Sequence, residues 1–97
     1  MNKHLARLMN DKTDYVASIT EIHHTHKIDS PSGTAVTLAK DLISNHPTYS
    51  SWKLTGQSEN MEKSDLPISA IREENVPGTH LISYTSEIDT LTIEHQA

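Results

Sequence analysis

Cysteine is absent from this chain, which excludes disulfides, thiolate metal sites and cysteine nucleophiles. Phenylalanine is absent too, and tryptophan occurs once. Apolar residues make up 34% of the sequence, whereas an average domain holds roughly 45–50% with glycine included. At 97 residues the expectation is one domain with a modest core, leaning on a second domain or on sister subunits for part of its stability. Glycine and proline are scarce, at three and four, and apolar residues recur with clear periods, which argues against disorder. No apolar run is long enough to span a membrane, and the first residues do not form a signal peptide. A formal charge of −5 with His neutral offers no basic face to nucleic acid. Any anion site is then a local exception to the field of the whole chain. These absences predict a cytoplasmic protein with neither a nucleic-acid nor a membrane partner.

What is present starts with periodicity. Leu5, Leu8 and Met9 form an i, i+3, i+4 stripe that predicts a short helix over 2–10. The β-branched mixture from Asp14 to His24 predicts a strand. Ser30-Pro31 resembles a helix start, with Ser30 as cap and Pro31 in the first helical position. Ala35, Leu38, Ala39, Leu42 and Ile43 then give the clearest amphipathic stripe in the chain. Asn45-His46-Pro47 ends it. Residues 48–66 are polar, with a short strand expected near Trp52. Strands are predicted at 68–74, 79–85 and 90–95, joined by a tight turn at Val76-Pro77-Gly78 and a reversal at 86–89. Their short connections predict antiparallel neighbours. The sum is an α+β fold: an open, mixed, mostly antiparallel sheet of about four strands with helices on one face. Its other face is rich in Thr and Ser and meets either water or another subunit's sheet. Both chain ends look like cuts, the last strand running to the final residues without a tail.

The densest chemistry lies at Glu21-Ile22-His23-His24-Thr25-His26-Lys27-Ile28-Asp29-Ser30-Pro31-Ser32-Gly33-Thr34-Ala35. It runs from a strand end into a helix start. The first amides of a helix lack intrahelical acceptors and sit at the positive end of its dipole. The amides of Ser32, Gly33 and Thr34 are therefore predicted to be free donors for an anion, with the Ser32 and Thr34 hydroxyls beside them. Gly33 costs up to about 1 kcal/mol against Ala in a helix, which close approach of a ligand to bare backbone would justify. Upstream, Lys27 is a cation able to hold a carboxylate or yield a proton, and imidazole exchanges protons near neutral pH. On an extended backbone His23 and Lys27 would share a face roughly 13 Å apart, so they serve one small molecule only if the chain bends or they grip its opposite ends. A zinc site through His24 and His26 competes with this reading, as does a non-enzymatic oligomerisation module. The lack of Cys, with Glu21 the only nearby acid on the strand, weighs against zinc, and no metal is expected.

This segment resembles the signature of the dihydrodipicolinate reductase family: two histidines, two variable positions, Lys, a variable position, Asp, Ala, then Pro-Ser-Gly-Thr-Ala. Ile71-Arg72, Val76-Pro77-Gly78-Thr79-His80 and residues 89–97 resemble the family's later Arg, Pro-Gly-x-His and final-strand pattern. Ser30 departs from the usual Ala, and Glu74 from a common Gly. The resemblance implies a substrate-binding and oligomerisation domain over 1–97, of the kind seen in the C-terminal domain of glyceraldehyde-3-phosphate dehydrogenase. It implies reduction of 4-hydroxy-tetrahydrodipicolinate to tetrahydrodipicolinate with NADPH or NADH, on the diaminopimelate route to lysine. It casts His23 as the acid–base histidine and Lys27 as the proton donor. His24, Lys27, Ser32, Gly33 and Thr34 would hold the substrate's carboxylates, and the assembly would be a homotetramer packed through the sheet. The glycines, at 33, 56 and 78, cannot form the G-x-G-x-x-G turn of a dinucleotide fold. No cofactor-binding residue is expected in this chain, and the nucleotide-binding domain is expected to be missing from it.

Overall fold

The computed structural model of the chain describes residues 1–24, 30–56 and 60–96. Helix α1 (Asn2–Met9) precedes strand β1 (Val16–His23), and helix α2 (Gly33–Asn45) follows it. Strands β2 (Ser51–Leu54), β3 (Asp65–Arg72), β4 (Thr79–Thr85) and β5 (Thr90–Gln96) complete the chain. The five strands form one sheet in the order β2-β3-β1-β4-β5. β1 is parallel to β3 and antiparallel to β4, β2 is parallel to β3, and β4 pairs antiparallel with β5. The α+β architecture thus holds with one strand more than predicted, and parallel and antiparallel ladders are equal in number. The expected neighbour relation of β3 and β4 is corrected: β1 lies between them. Val76–Gly78 is not the turn; the chain turns at Glu74-Asn75, where Asn75 takes φ 56°, a left-handed conformation that Asn tolerates better than most residues.

Alternation along the strands decides what meets α2. Ala17, Ile19 and Glu21 of β1 are buried on the helix face, joined by Leu66 and Ile68 of β3 and by Ile82 and Tyr84 of β4. From α2, Ala35, Ala39 and Leu42 close the core. Ala35 and Ala39 stand one turn apart on the same face, and their small side chains bring the helix axis close to the strands. α1 packs on α2 and buries Leu5, Ala6 and Met9. Leu8, counted in the predicted stripe, is 54% exposed; the buried face turns toward Ala6 instead. β3 begins at Asp65, ahead of the predicted boundary, and includes Pro67. The Ile68 carbonyl accepts from Thr55 on the β2 side, so the missing N–H of Pro67 points toward β1, where pairing starts only at Ile68. The ladder therefore loses no donor there.

The second sheet face carries Ser18, Thr20, Ser69, Ser83 and Thr92 with Val16, Ile22 and Ile71. No described helix covers it. Among the described residues, no helix is long and apolar enough to cross a membrane.

Candidate active site

β1 ends, and α2 begins, at the same end of the sheet. Because α2 runs back over β1, its first turn lies beside the last inward-facing residues of the strand, Glu21 and His23. The register then adds one residue from each flanking strand. Arg72 of β3 stands opposite His23, and His80 of β4 stands opposite Glu21. Four polar side chains on three adjacent strands thus gather where α2 enters.

The cap of α2 is Ser32, in place of the predicted Ser30. Its backbone is extended, φ −68° and ψ 160°, and its side chain accepts from the Ala35 N–H at 3.2 Å. Pro31 accordingly precedes the cap and does not occupy the first helical position. The prediction of three free amides is corrected as well. The Ser32 N–H donates to Glu21 Oε2 at 2.8 Å, so the protein's own carboxylate already occupies the first anion position at the helix entrance. Ser32 is buried, whereas Gly33 and Thr34 are exposed. Their amides hold the first two helical positions, which have no intrahelical acceptor, and no described residue accepts from them. A Cβ built on Gly33 would meet nothing within 4 Å. Among the described residues, no packing demand explains glycine at that position.

Glu21 is fully buried. Its Oε1 lies 3.4 Å from Arg72 Nη1, which also donates to the Ile71 carbonyl at 3.0 Å. The same oxygen lies 3.5 Å from His23 Nε2. That separation suits an ion pair but is too long for a good hydrogen bond, and among the described residues the buried His23 Nε2 has no hydrogen-bond partner. The His23 and His80 rings meet edge to face, with centroids 5.1 Å apart and planes at 71°. His80 Nε2 lies 3.4 Å from Ser32 Oγ. Donor atoms of Glu21, His23 and His80 fall within 4.8 Å of one another. The Arg72 guanidinium already neutralises this carboxylate, however, and a metal would have to displace that cation or bind beside it. The alternative zinc reading through His24 and His26 falls in part on His26, which lies outside the described residues.

Of the residues singled out in the sequence, His23 and Ser32 join one connected cluster, and Gly33 and Thr34 border it on the solvent side. His24 follows β1 and is exposed. Lys27 lies outside the described residues. Glu21, Arg72 and His80 were not assigned site roles from sequence. The signal for Glu21 was its place in the Ala17, Ile19, Glu21 alternation, which puts a carboxylate on the face that must be buried. Arg72 and His80 come from distant strands, and only pairing register brings them in.

The family model described as "Dihydrodipicolinate reductase, C-terminus" matches residues 1–97. A 4-hydroxy-tetrahydrodipicolinate reductase from Christiangramia forsetii is 44% identical over 97 residues, covering 100% of this chain and 39% of that protein. Proteins of the same name from Rickettsia rickettsii and Staphylococcus haemolyticus are 39% and 38% identical, each over 87% of this chain and covering 34% and 35% of their own lengths. This chain therefore spans well under half the length of these relatives. A solved dipicolinate-bound dihydrodipicolinate reductase from a Paenisporosarcina species superposes with a TM-score of 0.70 over 99% of this chain and 38% of that one. At 23% identity that likeness speaks for the fold. With a match along its entire length and a fold to suit, the chain belongs to the C-terminal family of the dihydrodipicolinate reductases.

Proposed function

We propose that this chain is the substrate-binding and proton-handling part of a 4-hydroxy-tetrahydrodipicolinate reductase, working with NADPH or NADH in cytoplasmic lysine and diaminopimelate biosynthesis. The observation that carries the reading is the exposed helix entrance at Gly33 and Thr34, set beside the imidazole of His23. A planar dicarboxylate placed there would rest one carboxylate on the two outward amides and the Thr34 hydroxyl. His24 and Lys27 would take the other carboxylate. His23, held against Glu21 and His80, would stay next to the reacting ring as the acid–base group, and Lys27 would deliver the proton. A proton donor placed in this way contributes roughly 10²–10⁴ in rate. Amide donors fixed before the ligand arrives need no reorganisation to meet its charge.

The residues of this chain do not fit a dinucleotide. Its three glycines are scattered at 33, 56 and 78, and the sheet lacks the all-parallel, doubly wound order of such folds. A nicotinamide nucleotide, which supplies hydride, would be held elsewhere in the enzyme. The chain alone is expected to leave NADPH unoxidised in an absorbance assay with substrate present. Turnover by the isolated chain would refute this division of labour.

Calorimetry with pyridine-2,6-dicarboxylate tests the site. Gly33→Ala meets no atom of the described residues and favours helix, so thermal stability is expected to hold or rise by up to about 1 kcal/mol. Binding is expected to fall about tenfold, the worth of one displaced hydrogen bond to a charged ligand. Unchanged affinity in both Gly33→Ala and Lys27→Ala would sink the site as drawn.

The uncovered sheet face supports a second role beside the first. Val16 is 61% exposed and Ile71 38% exposed on that face, and the chain has little apolar material to spare. We propose that further copies of the chain cover it, sheet against sheet, in a homotetramer. Sedimentation should then report four copies, and Ile71→Lys should dissociate them.

A further inference from the structure

We infer that Glu21 is the positioning residue of this site, the group that holds the helix entrance and the His23 imidazole in one fixed relation. The inference rests on the dicarboxylate reading above. A fully buried carboxylate is costly unless its oxygens are matched. A buried ion pair is, besides, weak grounds for stability, since apolar residues of similar volume often do as well. Here each oxygen has a separate task. Oε2 takes the Ser32 N–H at 2.8 Å, which fastens the first turn of α2 to β1 and leaves Gly33 and Thr34 as the next donors facing solvent. Oε1 lies between Arg72 Nη1 at 3.4 Å and His23 Nε2 at 3.5 Å. Arg72 balances the charge. The buried His23 nitrogen, unbonded among the described residues, lies 3.5 Å from Oε1, a separation that needs only a few tenths of an ångström of closure to become a hydrogen bond, as catalytic contacts often do once ligand arrives.

The contacts close into a ring. Glu21 holds Ser32, the Ser32 hydroxyl lies 3.4 Å from His80 Nε2, His80 presses edge to face on His23, and His23 returns to Glu21. Both walls against the His23 ring are therefore tied to the cap of α2. A shift of the helix entrance moves the anion donors and the imidazole together.

The sign of one measurement separates positioning from plain charge. Glu21 is negative beside a site proposed for a dianion, so by electrostatics alone its removal should tighten binding. Pyridine-2,6-dicarboxylate calorimetry and NMR on the wild-type chain, Glu21→Gln and Glu21→Ala provide the test. Gln keeps an oxygen for the Ser32 N–H, and its affinity is expected to stay within about threefold of wild type, with the Ser32 amide still protected from exchange. Ala removes the tether, and binding is expected to weaken about tenfold or more despite the lost repulsion, with the Ser32 amide exchanging freely. The His23 ring resonances should move in both variants. An Ala variant binding as tightly as wild type or tighter, or a Gln variant losing as much as Ala, would overturn the inference. If thermal melts show Ala unfolded, the Gln variant decides. A shifted His23 ring with Ser32 still protected supports positioning, and an unmoved ring overturns it. A wild-type chain that binds no dicarboxylate refutes the functional reading instead, while the NMR comparison still decides the role of Glu21.

Discussion

The two ends of the helix-covered sheet face are built from opposite materials. At one end Ala17, Ile19, Ile82, Tyr84, Leu66, Ile68 and Leu42 are buried together. At the other, on the same strands and the same face, stand Glu21, His23, Arg72 and His80 under the cap of α2. The strand alternation does not change between them; only the chemistry of the inward positions does. The apolar end carries stability, because dropping its side chains into water forfeits burial. The polar end consumes stability, because a buried charge and imidazoles must be matched atom by atom. A chain short of apolar residues still commits half of the inward face of its central strand, Glu21 and His23 beside Ala17 and Ile19, to groups that gain nothing from burial. That allocation is what singles out the end of the strand as the candidate site.

The contrast can be broken most decisively from the apolar side. Leu42→Ala should cost about 2–5 kcal/mol in urea unfolding, because Leu42 is fully buried and the cavity it leaves closes only in part. The fraction still folded should bind dicarboxylate with wild-type affinity. A variant that loses affinity while folded would show that the two ends are not separable.

Tyr84→Phe sharpens the same line. Among the described residues the buried Tyr84 hydroxyl has no hydrogen-bond partner, and burial pushes its pKa up to about 12. Removing it should stabilise the chain by about 1 kcal/mol, since an unmatched polar atom costs more inside than it returns. A loss of stability on thermal melting would mean that the hydroxyl is satisfied in solution.

Ser32→Ala works from the polar side. Losing the cap that Ala35 N–H uses should cost about 1 kcal/mol. The same change removes the contact with His80, so dicarboxylate affinity should fall beyond what the stability loss explains. An affinity equal to wild type would confine Ser32 to capping.

The smallest effect is at the rim of the apolar end. The Ser51 hydroxyl, then Lys53 and the Glu62 N–H, hold the Asp65 carboxyl down to a pKa of about 2. A depressed carboxyl contributes stability that is complete above its unfolded value near pH 4 and is lost as pH falls through about 2. Asp65→Asn should therefore flatten the acid limb of a melting-temperature profile over that window and leave dicarboxylate binding at neutral pH untouched. An unchanged acid limb would place the acid sensitivity elsewhere.

These ends were unequally legible in the sequence. The α2 stripe of Ala35, Leu38, Ala39, Leu42 and Ile43 and the strand alternations are local patterns, and they led directly to the core. The segment from His23 to Thr34 was legible because strand end, imidazoles and helix start are contiguous. Local patterns misplaced the cap, since Ser30-Pro31 and Ser32-Gly33 both look like helix starts, and only the Glu21 carboxylate across the gap favours the second. They also paired β3 with β4, because a short connection usually joins neighbours, whereas here it steps over the end of β1. Arg72 and His80 stand out in the family pattern, but their place in the cluster stayed hidden for the same reason: nothing between positions 21 and 80 reveals which strands flank β1.

The position of β1 between β3 and β4 also governs when this cluster can exist. Arg72 and Glu21 are 51 positions apart along the chain, and Ser32 and His80 are 48 apart, so both ladders of the central strand must close before any ligand-ready geometry appears. The β4–β5 hairpin needs little loop closure and is suited to form early, whereas the β1–β3 ladder waits for the whole intervening stretch, α2 included, to condense. A partly assembled chain then presents no half-competent pocket. On the proposed dicarboxylate reading, affinity is expected to report complete folding, and ligand added during refolding should capture only finished molecules.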